Sequence, residues 1–290
     1  MEILNGKELS KDIKNSIKDI VKAEFLDKNM SVPTLACIIV GDNPASKVYV
    51  ASKEKACKEV GFGSVVIALD GNSTEQQVIE QIEKLNNDDR ISAILLQLPL
   101  PKGLDERKII NRIVPQKDAD ALTDVMLGRL FAGTHKIAPC TASGIIKMLD
   151  KAQIDICGKN AVVVGRSLLV GKSVANLLEQ RNATVTICHS RTQNLAEKTR
   201  GADILIVAIG KPKFVTENMV KDGAVVVDVG INRTDTGLVG DVDFEKVGPK
   251  CKYISPVPGG VGPMTIAMLL ANTLELHKEN MEEKRYEHCR

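Results

Sequence analysis

Ala161-Val162-Val163-Val164-Gly165-Arg166-Ser167-Leu168-Leu169-Val170-Gly171-Lys172-Ser173 reads as a buried strand, a glycine turn and the start of a helix. An unbroken apolar run suits a strand covered on both faces, as in a parallel sheet. The glycine lets the backbone turn tightly, and the helix that follows aims free amides and its positive end at an anion. The spacing is Gly-x-Ser-x-x-x-Gly, so the stretch points to a dinucleotide-type unit without matching the usual Gly-x-Gly-x-x-Gly fingerprint. A triphosphate-binding loop is excluded, because Gly171-Lys172-Ser173 lacks a glycine at the required upstream distance.

The same alternation extends outward from this stretch. Strands are predicted at 184–188, 204–208, 224–229 and 252–255 with short helices between them, which makes a doubly wound sheet. The first half repeats the pattern, with strands at 34–40, 64–69 and 93–98 and helices at 44–60 and 74–86. The fold class is therefore α/β in two domains, an N-terminal α/β domain and a Rossmann-type domain, with a cleft expected between them. Breakers in 116–141 mark the boundary, ahead of a helix at 142–151. A turn is predicted at 240–243. Ser255-Pro256-Val257-Pro258-Gly259-Gly260-Val261-Gly262-Pro263 has no propensity for helix or strand, and reads as a stiff ligand-contacting loop before a helix from Met264 to about Glu283. That helix is able to pack on either domain, and the charged tail 282–290 is expected to fray.

Composition narrows the function. Lys plus Arg number 39 against 37 Asp plus Glu, so no basic field favours nucleic acid or an anionic membrane as partner. The longest apolar runs, 93–98 and 202–209, fall far short of the roughly 20 residues of a membrane span. Met1-Glu2-Ile3-Leu4-Asn5 has neither the basic nor the apolar region of a secretion signal, and the reading is a cytoplasmic protein. Seven scattered cysteines, an odd number without metal-ligand spacing, read as reduced and mostly buried; no metal is expected.

Candidate site residues appear in both halves. Asn43-Pro44 starts a helix and Gly61 ends it, and on its wheel Tyr49, Lys53, Ala56, Cys57 and Val60 share one side. An amine on that stripe either snorkels to solvent or is held desolvated as a proton carrier. Gln97 ends a buried strand, where open sheets bind ligands, although a glutamine there also marks simply where a core stops. Asp118 and Asp120 are either a turn or a carboxylate pair. In the second half, His189-Ser190-Arg191-Thr192 stands where an NAD site presents an acid to the ribose. A serine and an arginine there, with Arg166 nearby, favour a 2′-phosphate and hence NADP; the alternative is a nucleotide-free domain with a basic loop.

These residues together resemble the methylenetetrahydrofolate dehydrogenase/methenyltetrahydrofolate cyclohydrolase family. The motifs are Tyr49-Val50-Ala51-Ser52-Lys53, Gln97-Leu98-Pro99-Leu100-Pro101, Pro115-Gln116-Lys117-Asp118-Ala119-Asp120, Pro139-Cys140-Thr141 and Gly165-Arg166-Ser167 with Val170-Gly171. His189-Ser190-Arg191-Thr192, Asp228-Val229-Gly230-Ile231-Asn232, Gly240-Asp241-Val242 and Pro258-Gly259-Gly260-Val261-Gly262-Pro263-Met264-Thr265 complete the set.

The resemblance implies oxidation of 5,10-methylenetetrahydrofolate and hydrolysis of the methenyl product to 10-formyltetrahydrofolate. It implies that Lys53 transfers protons, that Tyr49 lies against the folate rings, that Gln97 bonds Lys53 and substrate, and that Asp120 anchors the pterin. Leu98, Pro99, Pro258, Gly259, Gly260, Val261, Gly262, Pro263 and Ile266 would contact the folate. Gly165, Arg166, Ser167, Ser190, Arg191 and Ile231 would hold NADP. Domains are then expected at 1–138 for catalysis and 139–263 for NADP, with 264–290 returning to the first domain, and a homodimer is implied. The chain departs from the family at Ala121, where glycine is usual, and at Ala142 and Ser173, where proline is common. Ala121 is expected to crowd the backbone beside Asp120; the other two affect local stiffness. Two rivals are a shikimate-type dehydrogenase, opposed by the Tyr49, Lys53 and Gln97 set, and a non-enzymatic binder, opposed by Lys53.

Overall fold

The structure is a computed structural model that describes residues 1–235 and 237–288. Its first part runs β1 (Glu2–Ile3), α1 (Gly6–Val21), β2 (Thr34–Val40), α2 (Pro44–Val60), β3 (Gly63–Leu69), α3 (Glu75–Asn86) and β4 (Ala93–Leu96). Three helices follow: α4 (Glu106–Ile110), α5 (Asp124–Phe131) and α6 (Cys140–Lys151). The second part continues with β5 (Asn160–Val164), α7 (Ser173–Gln180), β6 (Thr184–Cys188), α8 (Leu195–Arg200), β7 (Ile204–Val207) and β8 (Val225–Asp228). It ends with β9 (Asn232–Thr234), β10 (Gly237–Val239), α9 (Phe244–Val247), β11 (Tyr253–Ile254) and α10 (Val261–His288).

The chain forms two compact units. A small-sheet unit holds residues 12–129, 135–138 and 269 onward, around three parallel strands in the order β3-β2-β4. The central strand β2 is buried from Leu35 to Val40, which its unbroken apolar sequence dictates. Leu35, Ile38, Ile82, Ile94 and Ile109 are the large, fully buried side chains of this core. The helices that cover it are set by local chemistry: Thr74 and Gln77 form a reciprocal capping box on α3.

A large-sheet unit holds residues 1–11, 130–134 and 139–268, around strands in the order β1-β11-β8-β7-β5-β6, all parallel. Chain order reverses between β7 and β5, the switch point at which open α/β sheets receive ligands. Val162, Val164, Leu205, Val207, Val226 and Ile254 fill the core on one side.

Several sequence expectations change. Residues 1–11 leave the expected 1–138 domain because Glu2 pairs with Tyr253 and Ile3 with Ile254. Residues 130–134 also join the large-sheet unit, where Gln180 Nε2 donates to the Leu130 carbonyl at 2.6 Å. The last helix belongs to the large-sheet unit through Met268 and to the small-sheet unit from Leu269. It starts at Val261 instead of Met264, since Pro263 falls in the first turn, where a missing amide costs nothing. It also stays helical to His288, where fraying was expected; residues 289–290 of that tail, with Cys289, lie outside the described residues. Within the 116–141 boundary segment, α5 forms despite Gly128. The expected turn at 240–243 is a bend at Asp241, after which Val242 is bridged to Val215 in parallel, downstream of the β9–β10 hairpin.

Candidate active site

In the small-sheet unit the site begins with α2. The Asn43 side chain accepts from the amides of Ala45 and Ser46, Pro44 occupies the first turn, and Gly61 closes the helix at φ +84°. The buried face is Ser46, Val50, Ala56, Cys57 and Val60. Tyr49, expected on that stripe, stands at its margin with 40% exposure, and Lys53 one turn later is half-buried. The Lys53 ammonium donates to Gln97 Oε1 at 2.8 Å. Gln97 Nε2 donates to the Leu98 carbonyl at 2.6 Å, and that bond turns the amide so that its oxygen faces the lysine. The Gln97 backbone is itself fixed by its amide donating to the Ile38 carbonyl at 2.8 Å. Burial pushes the neighbouring Cys37 thiol up to about 11, while the nearby Lys53 charge pulls the other way. The Leu98–Pro99 peptide that follows Gln97 is cis.

Asp118 and Asp120 separate into different environments. Asp118 is 2% exposed and its carboxylate accepts from the Thr123 amide at 2.7 Å. Burial pushes it up to about 6, against the opposing bonds from Thr123. It is a buttress of the turn, and only Asp120, half-buried, remains a candidate for substrate. The turn is carried on β4: Asp118 bridges Ile94, and Ala119 donates to the Ile94 carbonyl at 3.2 Å. Asn272 Nδ2 holds the Ala119 and Ala138 carbonyls at 3.0 Å each. Ala121 takes φ +53°, which explains why glycine is usual there, and its methyl is fully buried. Lys117, whose role its motif does not reveal, donates to the carbonyls of Leu85, Asn86 and Asp88 at 2.8–2.9 Å, as a cation at the end of α3.

In the large-sheet unit, Gly165 takes φ +135° and a Cβ there would overlap the Ala208 carbonyl oxygen. Gly171 is equally required, since a Cβ would strike the Gly165 carbonyl. The Ser167 hydroxyl accepts from the Val170 amide at 3.3 Å and opens a wide turn over Leu168–Lys172. Ser173 donates its hydroxyl to the Leu168 carbonyl, so this departure from proline closes the wide turn and does more than alter stiffness. Val164 pairs with Cys188, and Arg166 and Ser190 both lie two residues past that pair, at the ends of adjacent strands. Both are exposed, as is Arg191. The 189–192 turn is fixed by His189 N donating to Thr192 Oγ1 at 2.8 Å and Arg191 N to His189 Nδ1 at 3.2 Å. Ile231, after β8, is 44% exposed.

Residues 258–263, expected as a folate-lining loop, are anchored within the large-sheet unit. Lys7 N donates to the Gly259 carbonyl at 2.9 Å, and a Cβ on Gly6 would overlap the Gly260 carbonyl. Val261, Gly262, Pro263 and Ile266 are already helical, and the Thr265 and Thr141 hydroxyls meet at 3.1 Å. Among the described residues no group of three His, Cys, Asp or Glu is placed to hold a metal, and no helix is long and apolar enough to cross a membrane.

A doubly wound parallel sheet with an anion-ready glycine turn, carried on the same chain as a lysine–glutamine couple, defines a two-domain nicotinamide-dependent dehydrogenase. Residues 4–120 match the tetrahydrofolate dehydrogenase/cyclohydrolase catalytic domain, and residues 139–281 match the NAD(P)-binding domain of the same family. The chain is 53% identical to the bifunctional protein FolD of Acetivibrio thermocellus, over 96% of this chain and 97% of that relative. A crystal structure of the bifunctional enzyme FolD, methylenetetrahydrofolate dehydrogenase/cyclohydrolase, from Campylobacter jejuni is similar at TM-score 0.93 and 46% identity, over 96% of this chain and 99% of that one. So is the methylenetetrahydrofolate dehydrogenase-cyclohydrolase of Trypanosoma brucei, solved with NADP cofactor and an inhibitor, at TM-score 0.92 and 36% identity over 96% and 98% of the two chains. The chain belongs to the tetrahydrofolate dehydrogenase/cyclohydrolase family.

Proposed function

We propose that this enzyme oxidises 5,10-methylenetetrahydrofolate with NADP and hydrolyses the resulting 5,10-methenyl cation to 10-formyltetrahydrofolate, a one-carbon donor of the kind purine biosynthesis consumes. The large-sheet unit fits the cofactor: two glycines whose Cβ atoms would fill the turn after β5, and exposed Arg166, Ser190 and Arg191 grouped where a 2′-phosphate is read. NADP, when bound, supplies the hydride acceptor. The protein's remaining work is to orient folate and move a proton.

The observation that carries the reading is the 2.8 Å bond from Lys53 to Gln97. An ammonium held by a neutral amide keeps a proton at one point without being locked by a carboxylate. In the hydrolytic step Lys53 acts through its neutral amine, which takes a proton from the attacking water; the ammonium so formed gives that proton to the ring nitrogen that leaves the one-carbon unit, and the proton lost as the formyl carbonyl forms passes to solvent. Gln97 aims Nζ, Tyr49 stacks against the folate rings, Asp120 accepts from the polar edge of the pterin, and Leu98 and Pro99 contact the same ligand. Residues 258–263 and Ile266 keep their folate role from the family resemblance alone.

We further assign a cytoplasmic homodimer. The edge strand β3 supports the dimer, with Val65 at 39% and Val66 at 41% exposure on an unpaired edge of the kind proteins normally cover. The test is Lys53→Met, assayed on methenyltetrahydrofolate by loss of its absorbance and on methylenetetrahydrofolate with NADP. Hydrolysis is expected to fall by about 100-fold or more, with NADP still reduced and the methenyl species accumulating. Hydrolysis at the parent rate removes Lys53 as the proton carrier.

A further inference from the structure

Two buried carboxylates in the large-sheet unit take no part in the chemistry above. Asp241 is fully buried, and its Oδ2 accepts from the amides of Ile209 and Gly210 at 2.7 and 2.9 Å. Its Oδ1 accepts from the Lys211 amide at 2.8 Å and from Asn232 Nδ2 at 2.9 Å. Asp228, 2% exposed, accepts from the amides of Gly230 and Asp241 through Oδ1 and of Val242 through Oδ2, each at 2.9 Å. The arrangement is reciprocal. A Cβ on Gly230 would overlap the Asp241 carboxylate, and one on Gly240 would overlap that of Asp228. Each aspartate thus needs the glycine of the other's segment, which accounts for Asp228-Val229-Gly230 and Gly240-Asp241 as a matched pair.

What this pair holds is the rim of the sheet. Residues 209–211 follow β7 and residues 229–232 follow β8, both at the ends where ligands bind. Because β7 and β5 flank the switch point, the 209–211 loop stands opposite the Gly165 turn, whose missing Cβ leaves room for Ala208. The Gly165 turn leads from β5 into a helical start, the kind of place where backbone amides meet an anion, whereas all three amides of 209–211 are consumed by one carboxylate. That wall therefore presents a fixed, phosphate-indifferent surface. We propose that Asp241, braced by Asp228, is a positioning residue that fixes 209–211 and Asn232 as the nicotinamide-side wall of the dinucleotide site. The inference rests on the NADP reading above. It assigns the β7–β8 side to the nicotinamide half and leaves the adenosine 2′-phosphate half to Arg166, Ser190 and Arg191.

The test is Asp241→Asn in the full chain, which keeps one acceptor oxygen and turns an amide toward backbone donors. Three quantities are measured: KM for NADP in the dehydrogenase assay, the rate of methenyltetrahydrofolate hydrolysis, and affinity for adenosine 2′,5′-bisphosphate by calorimetry. The expected result is a rise in KM for NADP of about tenfold or more, with hydrolysis and adenosine bisphosphate affinity within about twofold of the parent. An unchanged KM overturns the assignment, and so does an equal loss in all three, which marks a general structural role. Should Asp241→Asn not fold, Asn232→Ala removes a single donor to the same carboxylate; the same pattern at smaller amplitude supports the proposal, and an unaltered KM rejects it. A parent protein that fails to reduce NADP refutes the functional reading itself and this inference with it, whereas a parent that reduces NADP leaves the variants to decide.

Discussion

Ala121 sits at φ +53° with no exposed surface, so one small side chain carries both a backbone strain and a packing contact. The left-handed conformation costs an L-residue about 1–2 kcal/mol, and glycine would relieve it. Glycine would also lose a buried methyl, worth about 0.8 kcal/mol, and give the unfolded chain about 0.4–1 kcal/mol of extra freedom. The opposing effects nearly cancel. Ala121→Gly is expected to leave the denaturation midpoint within about 0.5 kcal/mol of the parent and the folate KM within about twofold. Ala121→Val is expected to lose at least about 2 kcal/mol, because a β-branched residue fits neither the conformation nor the buried space. Equal stability of the Val and Gly variants in urea titrations would show that the turn adapts around this position.

At the scale of elements, Lys117 is the clearest case of a motif residue with a job other than chemistry. Its ammonium closes the end of α3 by taking three carbonyls at 2.8–2.9 Å, which no neutral side chain of that length does. Lys117→Met is expected to destabilise by roughly 2–3 kcal/mol with the Lys53 chemistry qualitatively intact. A urea midpoint shifted by less than about 0.5 kcal/mol would mean that solvent satisfies those carbonyls instead. The contrast between Lys117 and Lys53 shows what sequence makes legible. Strands β2, β5, β7 and β8 announce themselves as apolar runs, and α2 by Asn43, Pro44 and Gly61, since these signals are local. Lys53 and Gln97, which the structure joins, were legible together because their motifs occur in one chain, whereas Tyr49 and Asp120 are paired with them by the family resemblance alone. What was hidden depends on partners distant in the chain: β1 against β11, Lys117 under α3, Asp118 turned inward while Asp120 is not, and Asp228 with Asp241. A turn and a buried buttress look alike until the segment they support is known.

The whole molecule carries two carboxylates whose burial makes stability depend on pH in an uncommon direction. Asp118 and Asp228 lie in different units, and burial pushes each from 3.8 up to about 6, against opposing backbone amides. In both, the native chain keeps a proton that the unfolded chain has already released between about pH 4 and pH 6. The folded state therefore binds more protons across that window, and unfolding free energy from these groups falls as pH rises, by roughly 3 kcal/mol each. Asp88, half-buried and held down to about 2 chiefly by its hydrogen bond from Arg90, has the opposite sign, but acts in a lower window, below 3.8. Subtracting the urea stability of an Asp118→Asn, Asp228→Asn double variant from that of the parent isolates the two groups from every other titration. That difference is expected to decline from pH 4 to pH 6 and level off by pH 7, because above their folded values both aspartates are ionised in both states. A difference that rises over the same range would mean that the amides of Thr123, Gly230, Asp241 and Val242 outweigh desolvation. The two single variants would then show which unit holds the exception, since sites this independent contribute additively.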